Sequence, residues 1–238
     1  MIACRNSNTF CSNEIVYELI NNGANVDECE NADWSPLMMT CFSSNTDSSL
    51  ETIKILMKAG ANLNKQDSKG VTALMIAISN DNSSDVITEF IKAGADINIK
   101  NNCGFTALMT ACRDVNNGSG VENIQELIKA NADNNIQNNC DQTCLMILCK
   151  NATTEQHGNL IKQMIKIETN LNTRDNDGWN VLTYLCHNDH IRGMNIWIEI
   201  VLEFIKNGIN VNSETNNGQT GLDILCEKYD KTNKDIFF

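Results

Sequence analysis

Apolar residues recur along the chain in short segments with helical spacing. In each segment they stand at positions i, i+3 and i+4, which places them on one face of an α-helix. The pattern predicts helices whose apolar faces consist of Ile53, Leu56 and Met57; Ile87, Phe90 and Ile91; Ile124, Leu127 and Ile128; Ile161, Met164 and Ile165; Val201, Phe204 and Ile205. Glycines suited to the left-handed conformation beyond a helix end follow several of these segments, as at Gly60 and Gly94.

A second kind of apolar segment alternates with these helices and fixes their period. It begins at a turn and reads DWSPLMMTC, GVTALMIAI, GFTALMTAC, DQTCLMILC, GWNVLTYLC and GQTGLDILC. The leucine of each copy falls at residue 37, 74, 108, 145, 182 and 222, in steps of 37, 34, 37, 37 and 40. A preceding block of the type KAGADIN recurs with the same steps. Two landmarks in one register indicate an internal repeat.

Each repeat predicts a helix, a loop, a second helix and a turn. The first helix is expected to begin after a residue whose side chain can cap a helix N-terminus. These residues are Ser35, Thr72, Thr106, Thr143, Asn180 and Thr220. Because no single unit can bury its apolar face alone, neighbouring units are expected to stack. Residues 1–238 are therefore interpreted as one array, with a half-unit 1–27, units of about 28–64, 65–98, 99–135, 136–172 and 173–212, and a half-unit 213–238.

The pattern G-x-T-A-L-M-x-A-C, together with the block G-A-x-x-N, resembles the ankyrin repeat and covers nearly the whole chain. The resemblance implies an all-α ankyrin-repeat solenoid of stacked helix-turn-helix units with short hairpin-like turns. The chain departs from the family's Thr-Pro-Leu-His, because proline survives only as Pro36 and methionine replaces the histidine in most copies. The asparagine-rich style is also similar to arrays encoded by large DNA viruses of protists.

The composition narrows the classes of partner. The chain has 30 acidic and 18 basic residues, a formal net charge of -12. Nucleic acids and anionic membranes need a basic face, so we expect neither as the main partner. No apolar run is long enough to span a membrane, and the N-terminal MIACRNSNTF has no signal-peptide pattern. The 11 irregularly spaced cysteines then favour free thiols in a reducing compartment, which predicts a cytoplasmic protein, in the host cell if the source is viral.

Cysteine and histidine are the residues most able to carry chemistry, and the repeat explains most of them. One repeat position, where the ankyrin repeat has a small buried alanine, contains Cys4, Cys41, Cys112, Cys149, Cys186 and Cys226. Free cysteine packs as a small apolar residue, so these thiols are expected to be buried. Cys103 and Cys140 share a turn position, which leaves a disulfide or metal pair open. His187 and His190 are close in sequence, but His157 is expected in a loop of another unit. We therefore expect no metal, no cofactor and no catalytic site.

One position of the repeat is not explained by the core pattern. It lies between the turn residue and the helix-capping residue, and it contains Trp34, Val71, Phe105, Gln142, Trp179 and Gln219. The resemblance implies that this turn-tip position faces the concave groove that holds partners. Aromatic residues fill three of the six copies although they make up 5% of the chain, and aromatics are enriched at interface hot spots. The alternative is that these side chains cover a neighbouring turn.

A second row, on the first helices, adds polar and charged groups to the turn tips. It contains Phe42, Ser79, Arg113, Lys150, His187 and Glu227, of which Arg113 and Lys150 are expected to give a local basic spot. The two rows predict a non-catalytic scaffold that binds a protein through turn tips and the concave helix face. The candidate binding residues are Trp34, Phe42, Val71, Phe105, Arg113, Lys150, Trp179 and His187.

Two other functions stay open at this point. The chain is alternatively the substrate-recognition module of a larger complex such as a ubiquitin-ligase adaptor, which requires a recruiting domain outside these 238 residues. It is otherwise a substrate of asparaginyl hydroxylation, since the asparagines that end the G-A-x-x-N blocks resemble those hydroxylated on ankyrin repeats. These are Asn64, Asn98, Asn172 and Asn212.

Both ends of the sequence fall inside a repeat, which is typical of a piece of a longer array. We expect a monomer whose terminal helices leave Val16, Leu19 and Ile236 only partly covered, because the array shows no polar capping unit.

Overall fold

The structure is a computed structural model that describes residues 13–43, 47–168, 170–192 and 194–234. Within these ranges the chain forms α-helices joined by turns, and the one strand-like pairing is an isolated bridge between Gln66 and Thr72. The predicted all-α fold is therefore confirmed. The chain divides into two compact units, Met1–Ala132 and Asp133–Phe238. In the described residues, no helix is long and apolar enough to cross a membrane.

The first unit contains two layers of helices. Its helices are α1 (Asn13–Asn21), α2 (Pro36–Ser43), α3 (Asp47–Lys58), α4 (Ala73–Ser79), α5 (Ser84–Lys92), α6 (Ala107–Arg113) and α7 (Gly120–Lys129). The first helices of successive repeats, α2, α4 and α6, pack against one another in order. The second helices α1, α3, α5 and α7 form the other layer. Each repeat therefore buries its apolar faces against its neighbours, as stacking requires.

The second unit repeats the two-layer arrangement. Its helices are α8 (Cys144–Asn151), α9 (Glu155–Ile165), α10 (Val181–His187), α11 (Asp189–Arg192), α12 (Asn195–Lys206) and α13 (Gly221–Lys234). The first helices α8, α10 and α13 form one layer, and α9 packs on α12 in the other. The short helix α11 lies in the longest insertion between the two helices of a repeat, where the sequence predicts a loop.

The first helices begin at the predicted capping residues. Ser35 Oγ accepts the backbone N–H of Met38, and Asn180 Oδ1 accepts that of Thr183. The threonine caps Thr72, Thr106 and Thr143 accept the equivalent N–H at 3.3–3.4 Å. At α13, Thr220 Oγ1 accepts the backbone N–H of Asp223, and the Asp223 carboxylate accepts the backbone N–H of Thr220 at 2.8 Å. These bonds satisfy backbone donors that the first turn of a helix leaves open.

Most residues of the apolar faces predicted for the second helices are buried, whereas Met57, Ile91, Ile128 and Val201 are half-buried and one residue is exposed. Ile53, Phe90, Ile124 and Ile161 have no exposed surface. On α12 the side chain of Ile205 is 50% exposed, so its predicted burial is wrong. Apolar residues cover this helix except on the side with Glu199 and Glu203, and it buries the residues at a spacing of four: Ile196, Ile200 and Phe204. The apolar period alone does not determine which face of such a helix turns inward.

In α1, the first described helix, one of the apolar residues expected to be only partly covered is fully buried. Val16 is only 3% exposed because α1 packs on α3, so the expectation for this residue is wrong. Leu19 is 50% exposed, as expected. Ile236 lies outside the described residues.

The repeated cysteine position is buried in four of its copies. Cys41, Cys112, Cys149 and Cys186 are at most 3% exposed. Cys226 is exposed, so its expected burial is wrong, and Cys4 lies outside the described residues. Burial raises the pKa of the Cys41 and Cys149 thiols well above their usual range, and for Cys149 the neighbouring Cys144 and Cys186 add to this. The repeat position therefore holds unreactive packing groups.

His157 is a buried residue of α9 and not the loop residue expected from sequence. Its Nδ1 atom accepts the backbone N–H of Thr153 at 3.1 Å. Burial lowers its pKa below the ordinary value of 6.5. The neutral imidazole is therefore part of the turn that starts α9, and it serves as a structural acceptor.

The turn residue before each turn tip has a positive φ, whether or not it is glycine. Gly70, Gly104, Gly178 and Gly218 have φ between 73° and 80°, and Asp141 occupies the same position with φ 59°. A side chain in this left-handed region is strained by about 1–2 kcal/mol, somewhat less for Asp. The Asp141 side chain is exposed, and within the described residues its carboxylate makes no contact that would offset this strain.

Replacing Asp141 by glycine should therefore stabilise the protein by about 1 kcal/mol, which chemical denaturation measures directly. The reverse change at the equivalent position, Gly178→Asp, should destabilise it by more. A Cβ atom at Gly178 would lie 2.6–2.8 Å from the backbone and side chain of Asn216, in addition to the strained φ. Equal effects of opposite sign at the two positions would show that φ strain alone matters.

Thiol labelling followed site by site with mass spectrometry tests the cysteine packing. Cys41, Cys112, Cys149 and Cys186 should react only on the timescale of unfolding, whereas Cys103, Cys140 and Cys226 should react at once. The change Cys112→Ser should lower the free energy of unfolding by about 1–3 kcal/mol, because a hydroxyl there is hard to satisfy. Rapid labelling of the four buried thiols in the native state contradicts this packing.

The stability of the protein should depend on the protonation of His157. Because its folded pKa lies below the unfolded value, the unfolded chain takes up the proton first as the pH falls. The free energy of unfolding should therefore fall as the pH is lowered from 7.5 to 5.5. In His157→Gln the amide oxygen can still accept the Thr153 N–H, but glutamine takes up no proton in this pH range. The fall in the free energy of unfolding should therefore be smaller. An identical pH profile for the two proteins would exclude the proposed buried neutral histidine.

Candidate partner-binding surface

A side-chain acceptor fixes the shape of four of the turns. Asp67, Asn101, Asn138 and Asp175 each accept two backbone N–H groups, from the residues two and four positions later, at 2.8–3.0 Å. The second of these N–H groups belongs to the turn-tip residue, for example Phe105 or Trp179. The backbone of the acceptor residue donates in return to the turn-tip carbonyl. The turn-tip residue is thus held by two bonds to one residue.

Successive turns are also joined to each other within each unit. In the first unit, Ser68 donates its backbone N–H to the Ala32 carbonyl, and Asn102 donates to Lys69. In the second unit, Asn176 donates to Cys140, and Asn216 donates to Asp177. The close approach leaves no room for a side chain at Gly70, where a Cβ atom would lie 2.8 Å from the Asn102 nitrogen. The turn tips therefore form continuous rows within each unit.

The turn-tip side chain contacts the residue eight positions later on the following helix. The rings of Trp34 and Phe42 meet edge to face with centroids 5.3 Å apart. The Arg113 guanidinium lies 5.6 Å from the centre of the Phe105 ring. Trp179 and His187 repeat the contact at 5.1 Å, and the Gln219 amide donates to the Glu227 carboxylate at 2.7 Å. The two rows that the sequence separates from the core are thus paired in four repeats.

These pairs lie outside the core in both units. Trp34, Phe105 and Trp179 are half-buried, whereas Phe42 is 57% exposed. Val71 is half-buried at its turn tip. One side of each pair faces solvent, which fits a binding surface, and the half-burial of the turn-tip side chains also fits the alternative that they cover a neighbouring turn.

Arg113 is neutralised by an adjacent carboxylate. Its Nε and an Nη atom donate to the two oxygens of Asp114 at 2.9 and 2.7 Å, and the same Nη donates to Ser79 Oγ at 3.1 Å. The hydrogen bond to Asp114 is the main cause that raises the pKa of Arg113. The guanidinium is therefore a member of an ion pair stacked on Phe105, so Asp114 balances the positive charge that Arg113 adds to this row.

The second unit brings three candidate residues together around one groove. Lys150, Trp179 and His187 line an open cavity of about 460 Å³. Its remaining walls are formed by Asn151, Asp177, Tyr184, Asn188, Asp189, His190 and Lys228. The groove extends from the turn tip at Trp179 to the C-terminal ends of the first helices. It has the mixed apolar and polar lining that recognition sites share.

A buried tyrosine positions Trp179, and sequence reasoning did not identify it. The Tyr184 hydroxyl donates to Asp175 Oδ2 at 2.5 Å and accepts from the Gln142 amide at 2.6 Å. Burial and the bond to Asp175 raise the pKa of Tyr184 above its usual range, so the hydroxyl stays protonated. The Tyr184 ring lies 5.1 Å from the Trp179 ring. The same Asp175 that accepts the Trp179 N–H therefore also anchors the ring beneath it.

His187 forms the far wall of the groove, beside three charged side chains. Its pKa is lowered first by partial burial, then by repulsion from Lys228 and Lys150, and Asp189 offsets part of the effect. Lys228 donates to the Asp189 carboxylate at 2.9 Å and also to the His187 carbonyl. The imidazole is therefore neutral near pH 7, beside Lys150 and the ion pair of Lys228 with Asp189.

Among the described residues, no group of three or more His, Cys, Asp and Glu side chains could hold one ion. Cys103 and Cys140 are exposed free thiols.

Comparison with known families assigns the repeat. A family model described as ankyrin repeats (3 copies) matches residues 1–101, 48–122, 74–150 and 108–215. The comparison with curated proteins found no match. Ankyrin repeats generally mediate protein–protein interaction, and proteins built from them are typically non-catalytic. The repeated register, the two helical layers and the side-chain-locked turns agree with this match: the chain belongs to the ankyrin-repeat family.

Proposed function

We propose that the chain is a non-catalytic scaffold that binds a protein partner through its turn tips and the adjoining faces of the first helices. The observation that carries the proposal is the pairing, in four repeats, of the turn-tip side chain with the residue eight positions later, outside the core. Trp34 with Phe42, Phe105 with Arg113 and Trp179 with His187 each offer an aromatic surface beside solvent. Aromatic and Arg residues held in this way carry most of the energy of a typical interface.

Rigidity of the turns supports the same function. The turn-tip backbone is held by the acceptors Asp67, Asn101 and Asp175 before any partner arrives. A surface that is already ordered loses little conformational entropy on binding. We therefore regard Trp34, Phe42, Val71, Phe105, Arg113, Lys150, Trp179 and His187 as candidate contact residues.

The asparagine-hydroxylation hypothesis concerns a different part of the repeat. Asn64 Oδ1 accepts the backbone N–H of Asp96 at 2.8 Å, and Asn172 Oδ1 accepts that of Asn210 at 2.7 Å. These asparagines are exposed and join one repeat to the next, so hydroxylation would act on a hydrogen-bonded side chain. The hypothesis of an adaptor in a larger complex, a cytoplasmic location and a monomeric state stay predictions.

The double substitution Trp34→Ala and Phe105→Ala tests the binding surface. Affinity purification from host cells followed by mass spectrometry identifies the partner, and titration with that purified partner gives the affinity. The double variant should bind at least tenfold more weakly, because two interface anchors are removed. Its free energy of unfolding should change by only about 1–2 kcal/mol, since neither side chain belongs to the core.

A matched control removes exposed apolar side chains from the other layer. Ile198 and Leu202 of α12 are each 59% exposed, and the double change Ile198→Ala and Leu202→Ala should leave the affinity unchanged. If this control loses the partner while the Trp34 and Phe105 variant keeps it, the binding surface lies on the second helices and the proposal is wrong.

A further inference from the structure

The groove of the second unit has one cation that no side chain neutralises. Lys150, at the end of α8, is exposed and makes no ion pair or hydrogen bond through its ammonium group within the described residues. The other lysine of the groove, Lys228, is paired with Asp189 at 2.9 Å. In a chain with a net charge of -12, an unopposed lysine beside a half-buried indole is a specific feature of this surface.

The carbonyl groups at this end of the groove are already satisfied. The Asn188 side-chain amide donates to the carbonyls of Cys149 and Ala152 at 2.8 Å and to that of Lys150 at 3.3 Å. The Lys228 ammonium donates to the His187 carbonyl. Bare carbonyls at a helix C-terminus repel an anion, but here donors cover them. An anionic group can therefore approach Lys150 without that repulsion.

The other end of the groove has a carboxylate that is not paired with a lysine in the described residues, unlike Asp189, which is paired with Lys228 beside His187. Asp177 lies in the turn next to Trp179 and is exposed. Its backbone groups are used by the turn, since its N–H donates to Asp175 and its carbonyl accepts from Asn216. A carboxylate at this end disfavours a second acidic residue of a ligand, so the groove distinguishes one acid at the Lys150 end from a uniformly acidic chain.

We propose that this groove binds an extended segment of a protein partner with an apolar side chain over Trp179 and a single Asp or Glu carboxylate beside Lys150 and His187. The inference rests on the proposed protein-binding function and specifies the chemistry of the partner in the second unit. The apolar contact supplies affinity, and the charge contact supplies register and specificity. A cavity of about 460 Å³ accommodates two or three side chains of such a segment.

Proton uptake should accompany this binding. The groups that face His187 are Lys150 on α8, Asp189 on α11, Lys228 on α13 and the Trp179 ring. In the free groove, partial burial and the two lysines keep the imidazole neutral near pH 7. A carboxylate bound beside it favours the imidazolium, so the complex holds more protons than the free chain. The affinity should therefore rise as the pH falls from 7.5 to 5.5.

Selection from a phage-displayed library of random dodecapeptides tests the inference on the whole chain. Bound phage are required to lose binding to the Trp179→Ala variant, which restricts the selection to this groove. The expected consensus contains an apolar or aromatic residue and one Asp or Glu at a fixed distance from it. A synthetic peptide with this consensus should bind about tenfold more weakly when its acid is replaced by the amide, Glu→Gln or Asp→Asn.

A charge exchange locates the acid at Lys150. The Lys150→Glu variant should bind the peptide at least tenfold more weakly, and a peptide with Lys in place of its acid should recover binding to that variant. Lys166→Glu is the matched control, because Lys166 is an exposed lysine at the end of α9, away from the groove. In the wild type the affinity should rise about threefold between pH 7.5 and 5.5, and His187→Gln should abolish this rise.

The outcomes separate this inference from the proposed function. Peptides that need Trp179 but contain a basic or uncharged residue at the Lys150 end overturn the acid preference and leave protein binding at the turn tips in place. If the selection gives no peptide that depends on Trp179, both the acid preference and protein binding at the turn tips are overturned for the second unit. Tighter binding of a single-stranded oligonucleotide probe than of the peptide, with loss in Lys150→Glu, also overturns the inference, because the groove then selects phosphate over carboxylate.

Discussion

The acceptor side chain at the start of four of the turns is the interaction on which most of the surface depends. Asp67, Asn101, Asn138 and Asp175 each bind two backbone N–H groups of their own turn. Without that acceptor the turn would have to leave two N–H groups to solvent or adopt another shape. The same bonds place the helix-capping residue at the start of the first helix and hold the turn tip beside that helix. Fold and recognition surface therefore share one local constraint.

At Asp175 this constraint extends from the backbone to the groove. One carboxylate oxygen holds the Trp179 backbone, and the other accepts the Tyr184 hydroxyl that supports the indole from below. The first unit has no tyrosine at the equivalent position, and its Phe105 is instead covered by the Arg113 guanidinium. Two units with the same turn thus present aromatic groups with different charge neighbours, which explains how one repeat can supply different binding chemistry.

Much of the fold could be predicted from sequence because it depends on local rules. The period of 34 to 40 residues, the capping residues from Ser35 to Thr220 and the buried cysteine position each follow from a residue type at a fixed place in the repeat. The failures occur where tertiary packing decides between equal local options. The helix α12 is apolar on most of its circumference, so only its packing on α9 shows that Ile200 is buried and Ile205 is exposed.

The candidate surface was predictable in position and only partly in chemistry. Trp34, Phe105 and Trp179 could be identified as candidate contact residues because the core pattern of the repeat requires no large residue at the turn tip. The pairing of Arg113 with its neighbour Asp114 and the tyrosine beneath Trp179 were not predicted, because rotamer choice and the meeting of distant side chains leave no periodic signal. Asn188 likewise covers three carbonyls from 36 to 39 residues earlier, a role invisible in its own sequence context.

The most direct test of the account is hydrogen–deuterium exchange of the chain with and without its purified partner. If turn tips and first helices bind the partner, the amides of segments 67–71, 101–105 and 175–179 should exchange more slowly in the complex. The amides of the second helices α5, α7 and α12 should exchange at the same rate in both states. New protection confined to those second helices, with the turns unchanged, would contradict the account.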